Sequence, residues 1–467
     1  MSGRKTRYVT PVDAAVRIRF HGPTLTTCPT VPLFLVESRW LRIGAFTAFY
    51  FAQGVPIGLL AIAVPAWLSE RGMSLGEIAT YISVVSLPWG FKLVSGPLMD
   101  RFSFPAMGRR RPWVMGAQGG LTLALASLML VTNPQEQLGL VIALGFLVNS
   151  FAAVQDVAVD GMAIDVLPET ERGRVNAFMA FGQVAGFSSF SAVAGYLLST
   201  FGLAAAAAAA ALTVAAVFAL ITVVRERRGE RALPWSEGGP AAHALEMKQT
   251  FASIFKGLAR VLLMPMSLLL MAAEWLLRMR DGVALAVFPV VATQQLEYSA
   301  VQYSYLQGIM GVVVAVVGVG VGPIIDRYGA KWLYIIGLGG VAVTSVVFAS
   351  TQPLWDSTPY AIGMWSLANL FTQVVFVSFI ACSMSICWGP VAASQFAIYM
   401  SLSNLARSAG GAAFAPVAND LTYPEQFLLM AALAGVACVS MLFFRPEPHR
   451  ARLRTLAATA TPTGVAA

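Results

Sequence analysis

Charge is what this sequence has least of. Only 12% of its 467 residues are Asp, Glu, Lys or Arg, while 57% are hydrophobic; an ordinary soluble domain carries roughly 25% charge. A water-soluble core of that size is excluded. Histidine is scarcer still, since His21, His243 and His449 are the three present and all lie outside the apolar runs. Hydrolase or acyltransferase chemistry, which needs a base beside a nucleophile, is therefore not expected. The four cysteines (Cys28, Cys382, Cys387, Cys438) make no Cys-x-x-Cys pair, and three fall in apolar runs, where a thiol is a small hydrophobe. Neither a disulfide framework nor a metal site is indicated. A Gly-x-x-x-x-Gly-Lys-Ser/Thr phosphate loop is also missing, so no ATP motor and no cofactor are expected. The first forty residues hold no clean apolar stretch before a small-residue cleavage site, so a removable signal peptide is not expected either.

What the chain does have is apolar runs near the ~20 residues that span a bilayer. Six occur at Leu41 to Leu68, Leu75 to Met99, Trp113 to Val131, Leu138 to Met162, Val175 to Leu198 and Leu203 to Val224. Six more follow at Ser267 to Val291, Ala300 to Ile325, Trp332 to Ser350, Tyr360 to Met384, Val391 to Val417 and Phe427 to Phe444. The expected fold is an all-α membrane protein with twelve transmembrane helices in two six-helix bundles. Its parts are an N-terminal arm (1–40), a first bundle (41–224), a linker (225–266), a second bundle (267–444) and a tail (445–467). The linker mixes charge with Pro234, Gly238, Gly239 and Pro240. Its far end repeats apolar residues at helical spacing from Met247 to Val261, reading either as a helix in the membrane interface or as an extension of the seventh span.

Basic residues near span ends stay on the cytoplasmic side. Of the 31 Lys and Arg, four lie inside spans (Lys92, Arg278, Arg280, Arg407) and Arg71 on the far side, and the remaining 26 fall on one face. Both termini are thus expected in the cytoplasm of a multi-pass inner-membrane protein. Membrane-facing loops account for the net charge of +8 without a nucleic-acid partner.

The two sets of six carry matching motifs. The second span ends in Gly96-Pro97-Leu98-Met99-Asp100-Arg101 and the eighth in Gly322-Pro323-Ile324-Ile325-Asp326-Arg327, with glycine, proline, acid and arginine at identical spacing. An Asn-to-Pro interval recurs too, Asn149 to Pro168 in the first half and Asn369 to Pro390 in the second. The Gly-Pro-x-x-Asp-Arg pattern resembles the loop signature of the major facilitator superfamily, which implies the major facilitator fold and a cytoplasmic charge network. Within it the chain looks most like AmpG-type muropeptide permeases and the related acetyl-CoA and siderophore permeases. The segments that carry this likeness are Phe91-Lys92-Leu93 through Gly108-Arg109-Arg110-Arg111, Gln155-Asp156 through Glu171-Arg172-Gly173, and Gln395-Phe396-Ala397 to Arg407.

Eight ionisable residues fall inside the spans: Lys92, Asp156, Asp160, Glu274, Arg278, Arg280, Asp281 and Arg407. At roughly 3 kcal/mol each, unpaired, they would cost about 24 kcal/mol, so they face the bundle interior. Lys92 and Asp156 share a depth and are expected to pair, as a proton-coupling site or as a static ion pair. Glu274, Arg278 and Asp281 recur at i, i+4 and i+7 on one helical face, for proton or substrate binding or as a self-neutralised triad, with Arg280 turned away. The resemblance implies that Arg278 and Asp281 stand where related permeases keep a basic residue and an aspartate. Arg407, with no acid within a turn, is the candidate for an anionic substrate group. Trp89, Gln53, Gln307 and Asn369 are further substrate-binding candidates, and helix packing is their alternative. Asp100, Arg101, Asp160, Asp165, Asp326 and Arg327 are assigned to a cytoplasmic gate, with helix capping as the alternative. The function expected is proton-coupled import of a bulky polar or amphipathic solute, muropeptide-like, by a monomer in the bilayer. A siderophore or acyl-CoA permease, or a non-transporting receptor with the same fold, is the competing reading.

Overall fold

The computed structural model describes residues 34–102, 104–239, 258–388 and 392–460. In chain order the helices are α1 (Arg39–Glu70), α2 (Leu75–Ser86, a 3₁₀ turn Leu87–Phe91, then Lys92–Arg101), α3 (Arg111–Leu130), α4 (Leu138–Val166), α5 (Glu169–Phe201) and α6 (Leu203–Val223). The second half repeats the pattern with α7 (Pro265–Val290), α8 (Ala300–Tyr328), α9 (Ala330–Ser350), α10 (Thr358–Ser385), α11 (Ala392–Phe414) and α12 (Tyr423–Leu442), and a shorter α13 (Pro446–Ala460) follows. All of the first twelve but α2, α7 and α11 are long and apolar enough to cross a membrane by length and composition. Those three are broken by a 3₁₀ turn or carry polar groups, which is where a site is to be sought. The expected amphipathic stretch from Met247 lies largely outside the described residues.

The two halves share local devices as well as motifs. Pro56 in α1 and Pro289 in α7 lack an N–H, and each is followed by a π-helical turn, Gly58–Ala63 and Val291–Gln295. Ser74 and Ser299 start α2 and α8 with the same capping box, closed by Glu77 and Gln302 three residues on.

Within the first half α1 packs on α5 and α3 on α4 and α6; within the second α7 packs on α11 and α12, and α9 on α10 and α12. A Cβ on Gly54 would strike the backbone of Gln183 and Gly186, and one on Gly186 the carbonyl of Phe51. Only glycine lets α1 and α5 meet backbone to backbone. The halves touch through α5 with α8, and through α2 with α7 and α11.

One end of the bundle, the basic end, carries Arg101 and Arg109 to Arg111. The hydrogen bonds that cross between the halves among the described residues all lie towards the opposite end. Gln294 donates to the carbonyls of Ser69 and Met73 at 3.1 and 3.0 Å, and the hydroxyls of Ser69 and Thr293 meet at 2.7 Å. The Gly76 amide donates to Asn419 at 3.0 Å, and Ser191 donates to the Ser304 carbonyl at 2.8 Å. The opposite end is therefore sealed.

At the basic end the described start of the expected linker, residues 225–239, folds onto the first half. Leu35 donates its amide to the carbonyl of Arg225 at 2.9 Å, and Arg231 to that of Ala106 at 2.7 Å. The Glu226 carboxylate accepts the backbone amides of Arg109, Arg110 and Arg111 at 3.1, 2.9 and 2.7 Å, capping the start of α3. Arg111, fully buried, returns the bond: its guanidinium donates to the carbonyls of Ile221, Thr222 and Val224 at the end of α6, and to that of Arg231. Each helix end thus satisfies the other's orphan backbone groups.

Burial raises the carboxyl of Glu226, and burial with the neighbouring Glu226 charge pushes that of Glu230 up to about 7. A raised acid keeps its proton longer folded than unfolded, so its stabilising share is complete below the ordinary carboxylate range and is lost as pH rises through 7. Amide exchange over residues 226–231, corrected for intrinsic rates, should accelerate between pH 5 and 8. Glu230→Gln should flatten the profile; an unchanged profile in the variant would remove Glu230 as its cause.

Candidate functional site

The ionisable residues of the spans gather in two clusters, one in each half. In the first, the 3₁₀ turn of α2 delivers Trp89 and Lys92 towards α4. The Lys92 ammonium bonds Asp156 and also lies 4.5 Å from the Trp89 ring centroid. The second Asp156 oxygen accepts from the Gln53 amide, whose carbonyl accepts from Gln183 at 3.0 Å, so this carboxylate of α4 is bonded directly from α1 and α2 and linked to α5 through Gln53. The glycine contact between α1 and α5 brings Gln53 and Gln183 within reach of each other. Trp89 is itself oriented by Asn149, which accepts from its indole at 3.1 Å and donates to the Val85 carbonyl at 2.7 Å. About a fifth of the Lys92 side chain remains exposed, against a tenth for Asp156. A charge pair so placed is desolvated enough to be strong and open enough to exchange a proton or an anion.

The second cluster is built on α7. Arg278 donates to Glu274 at 2.5 Å and to Asp281 at 2.9 Å, and its guanidinium stands over the Phe376 ring at 5.5 Å. Glu274, with no exposed surface, also accepts the hydroxyls of Tyr334 from α9 at 2.8 Å and Ser403 from α11 at 3.2 Å. Arg280 is not turned away as the helical wheel suggests. Its long side chain folds back, and it donates to the other Asp281 oxygen at 3.2 Å. Two acids and two arginines form one neutral network. Arg407, half-buried on α11, stands beside this network, close enough for its charge to be felt by Arg278, Asp281 and Glu274. No ion pair or hydrogen bond of its side chain occurs among the described residues.

Other candidates are placed differently from expectation. Asp160 does not reach the arginines of the basic end; it accepts the Tyr50 hydroxyl and lines a cavity of about 420 Å³ with Gln183, Asn176, Arg172 and Ile164. Asp165 does meet Arg109 and Arg110, at 3.4 and 3.5 Å, but both partners belong to the same half, so this pair braces α4 against the α2–α3 turn and spans no gap between halves. Arg101 lies against the ring of Phe102 and Arg327 against that of Tyr328. The side chains of Asp100 and Asp326 lie outside the described part. Asn369 donates to the Trp365 carbonyl one turn back at 3.0 Å, and Gln307 is half-buried on α8 beside Tyr303. Trp365 itself packs into an aromatic group with Phe288, Tyr298 and Tyr303.

Sequence reasoning missed a buried ion pair of α1 and α5. Arg42 donates to Glu171 at 2.7 Å and to the carbonyls of Leu35 and Val36. The run Glu171-Arg172-Gly173 marked the acid; its partner carried no signal.

Comparisons with known proteins agree with this architecture. An uncharacterized protein of Haemophilus influenzae is 32% identical over 156 residues, which is 32% of this chain and 36% of that protein. The anhydromuropeptide permease of Escherichia coli K12 is 35% identical over 132 residues, 28% of this chain and 26% of the permease. The chain thus spans about a third and about a quarter of these relatives' lengths. A POT family transporter solved with 5-aminolevulinic acid superposes with a TM-score of 0.69 at 9% identity, covering 89% of this chain and 99% of that one. A D-xylose-proton symporter gives 0.64 at 15% identity, covering 87% and 97%. At such identities the likeness is one of fold. The Major Facilitator Superfamily model matches residues 45–416 and again 271–466, and with matched motifs, capping boxes and π turns in its two six-helix halves this chain belongs to the major facilitator superfamily.

Proposed function

We propose that the protein is a secondary active transporter of the inner membrane that imports a bulky polar or amphipathic solute, muropeptide-like in character, together with protons. The observation that carries this reading is the Lys92–Asp156 pair, held from four helices near mid-depth of a bundle whose opposite end is sealed. Protonating Asp156, or offering Lys92 a substrate anion, breaks the pair and releases Lys92 and Gln53 together, which couples binding to a rearrangement of α1, α2, α4 and α5. The 26 basic residues expected on one face support a cytoplasmic basic end and cytoplasmic termini; in this reading the sealed end faces outwards and the site opens inwards. Residues 41–224 and 267–444 serve as the two moving bundles. The regional match to an anhydromuropeptide permease supports the solute class.

Arg407 is the anchor for the anionic group of the solute. Arg407→Gln should raise the KM for uptake about tenfold or more, the worth of one charge-assisted hydrogen bond, while leaving the melting temperature unchanged or higher because no protein partner is orphaned. A lowered melting temperature with unchanged KM would make it structural instead. Uptake of a radiolabelled anhydromuropeptide into proteoliposomes under an imposed proton gradient tests the whole reading. Accumulation above the external concentration supports it. Binding without flux under any gradient would favour a receptor that keeps the fold.

A further inference from the structure

Among the eight ionisable residues of the spans, once the pairs between them are counted, each half is left with one unmatched charge, and the two are of opposite sign. In the first half Lys92 stands against two carboxylates a helical turn apart, Asp156 and Asp160. The lysine is bonded to Asp156, and the described partner of Asp160 is a neutral phenol, Tyr50, on the wall of the 420 Å³ cavity. In the second half Arg278 and Arg280 are matched by Glu274 and Asp281, and Arg407 is left over.

The two unmatched groups do not lie at one level. Gly90 of α2 packs on Leu405 of α11, and Ser83 on Gly411, so Arg407 is level with the α2 residues just before Trp89, about one turn to the sealed side of Lys92. Asp160 lies one turn to the basic side of Asp156, the partner of Lys92. The offset along the bundle axis is on the order of 10 Å at 1.5 Å per residue. Closing the halves together cannot pair groups so displaced; Asp160 is exposed to its cavity, Arg407 is half-buried, and neither bonds an opposite charge among the described residues. A bound molecule with two opposite charges can meet both.

We infer that Asp160, with Tyr50, is a cation-accepting subsite, and that the transported solute is an elongated zwitterion bound across the two halves, its anion on Arg407 and its amine on Asp160. Asp160 thereby leaves the gate and joins the binding site. The inference rests on the anchoring role given to Arg407, and not on the solute being a muropeptide.

The test uses probes with no sugar and no peptide. Binding of 8-aminooctanoate, octanoate and octylamine to the full-length protein in nanodiscs is measured by calorimetry. The aminocarboxylate should bind roughly tenfold more tightly than either one-charge analogue, as expected for one added charge-assisted bond. Asp160→Asn should erase its advantage over octanoate alone, and Arg407→Gln its advantage over octylamine alone. Asp160→Glu, which keeps the charge and guards against a folding defect, should retain the advantage and move the preferred chain length one carbon shorter. Equal binding of the three probes by the wild type, or an advantage that survives Asp160→Asn, overturns the inference. Failure of anhydromuropeptide uptake with the probe pattern intact would overturn the solute assignment and leave this subsite standing.

Discussion

Asp156→Asn is expected to abolish proton-driven accumulation in proteoliposomes, bringing the internal solute no higher than the external, while exchange of labelled for unlabelled solute continues. An amide at this position keeps one acceptor oxygen, enough for Lys92, and turns an NH2 group towards Gln53, so the joint to α2 is kept and that to α1 is loosened. It can neither release nor take up a proton. Counterflow needs the site and the conformational change but no net proton movement, whereas accumulation needs all three. The separation of the two assays is what distinguishes coupling from an inert ion pair. Full accumulation by the variant would remove Asp156 from the coupling role, and loss of both activities would show that the charge is needed to hold the site together.

Glu274→Ala should have the largest effect on stability of any single change in the spans. Its carboxylate is fully enclosed and receives Arg278, Tyr334 and Ser403 from three helices, α7, α9 and α11. Removing it takes one of two acids from the buried Arg278 guanidinium and leaves the Tyr334 hydroxyl without a partner, and breaking a buried pair from one side costs about 3–5 kcal/mol. Expression should fall and the melting temperature of the purified protein should drop by several degrees. Glu274→Gln keeps acceptor and shape and should recover most of the loss. Sequence reasoning placed Glu274 among the proton-coupling residues, and its complete enclosure argues for a structural role beside Asp281, which retains some exposure. Accumulation by a well-expressed Glu274→Gln variant decides between them: retained coupling leaves Glu274 as a brace, and lost coupling restores it to the proton path.

The helical architecture was legible because apolar length is a one-dimensional signal. Nine of the twelve runs begin and end within a turn of the observed helices. Most of the exceptions add polar turns at the basic end, as where α5 starts at Glu169 and α4 reaches Val166. Depth was legible too, since Lys92 and Asp156 could be matched by counting residues back from their helix ends. What could not be read was the company each residue keeps across helices. Gln53 and Gln183 meet on Asp156 only because Gly54 and Gly186 let α1 and α5 come into contact, a fact of three-dimensional packing. Arg280 was misjudged because a wheel places the Cα and ignores a side chain long enough to curl back to its neighbour. Asp160 shares its depth with the arginines of the basic end, and depth alone does not tell that Tyr50, 110 residues away, is the group that bonds it. Glu226 looked like one charge among many in a polar segment, and nothing local told that three amides at the start of α3 required it.

The sealed end has a property that follows from its chemistry alone. Its crossing bonds join amides, hydroxyls and backbone carbonyls, with Gln294 bridging to two carbonyls of the α1–α2 turn, and not one of them is formed by an ionised group. Ion pairs between exposed charges weaken as salt screens them, within a Debye length of about 8 Å at physiological strength, but bonds between neutral dipoles hardly respond. The barrier at this end should therefore hold equally well at low and at high ionic strength. Sensitivity to the surroundings is left to the buried charges behind it.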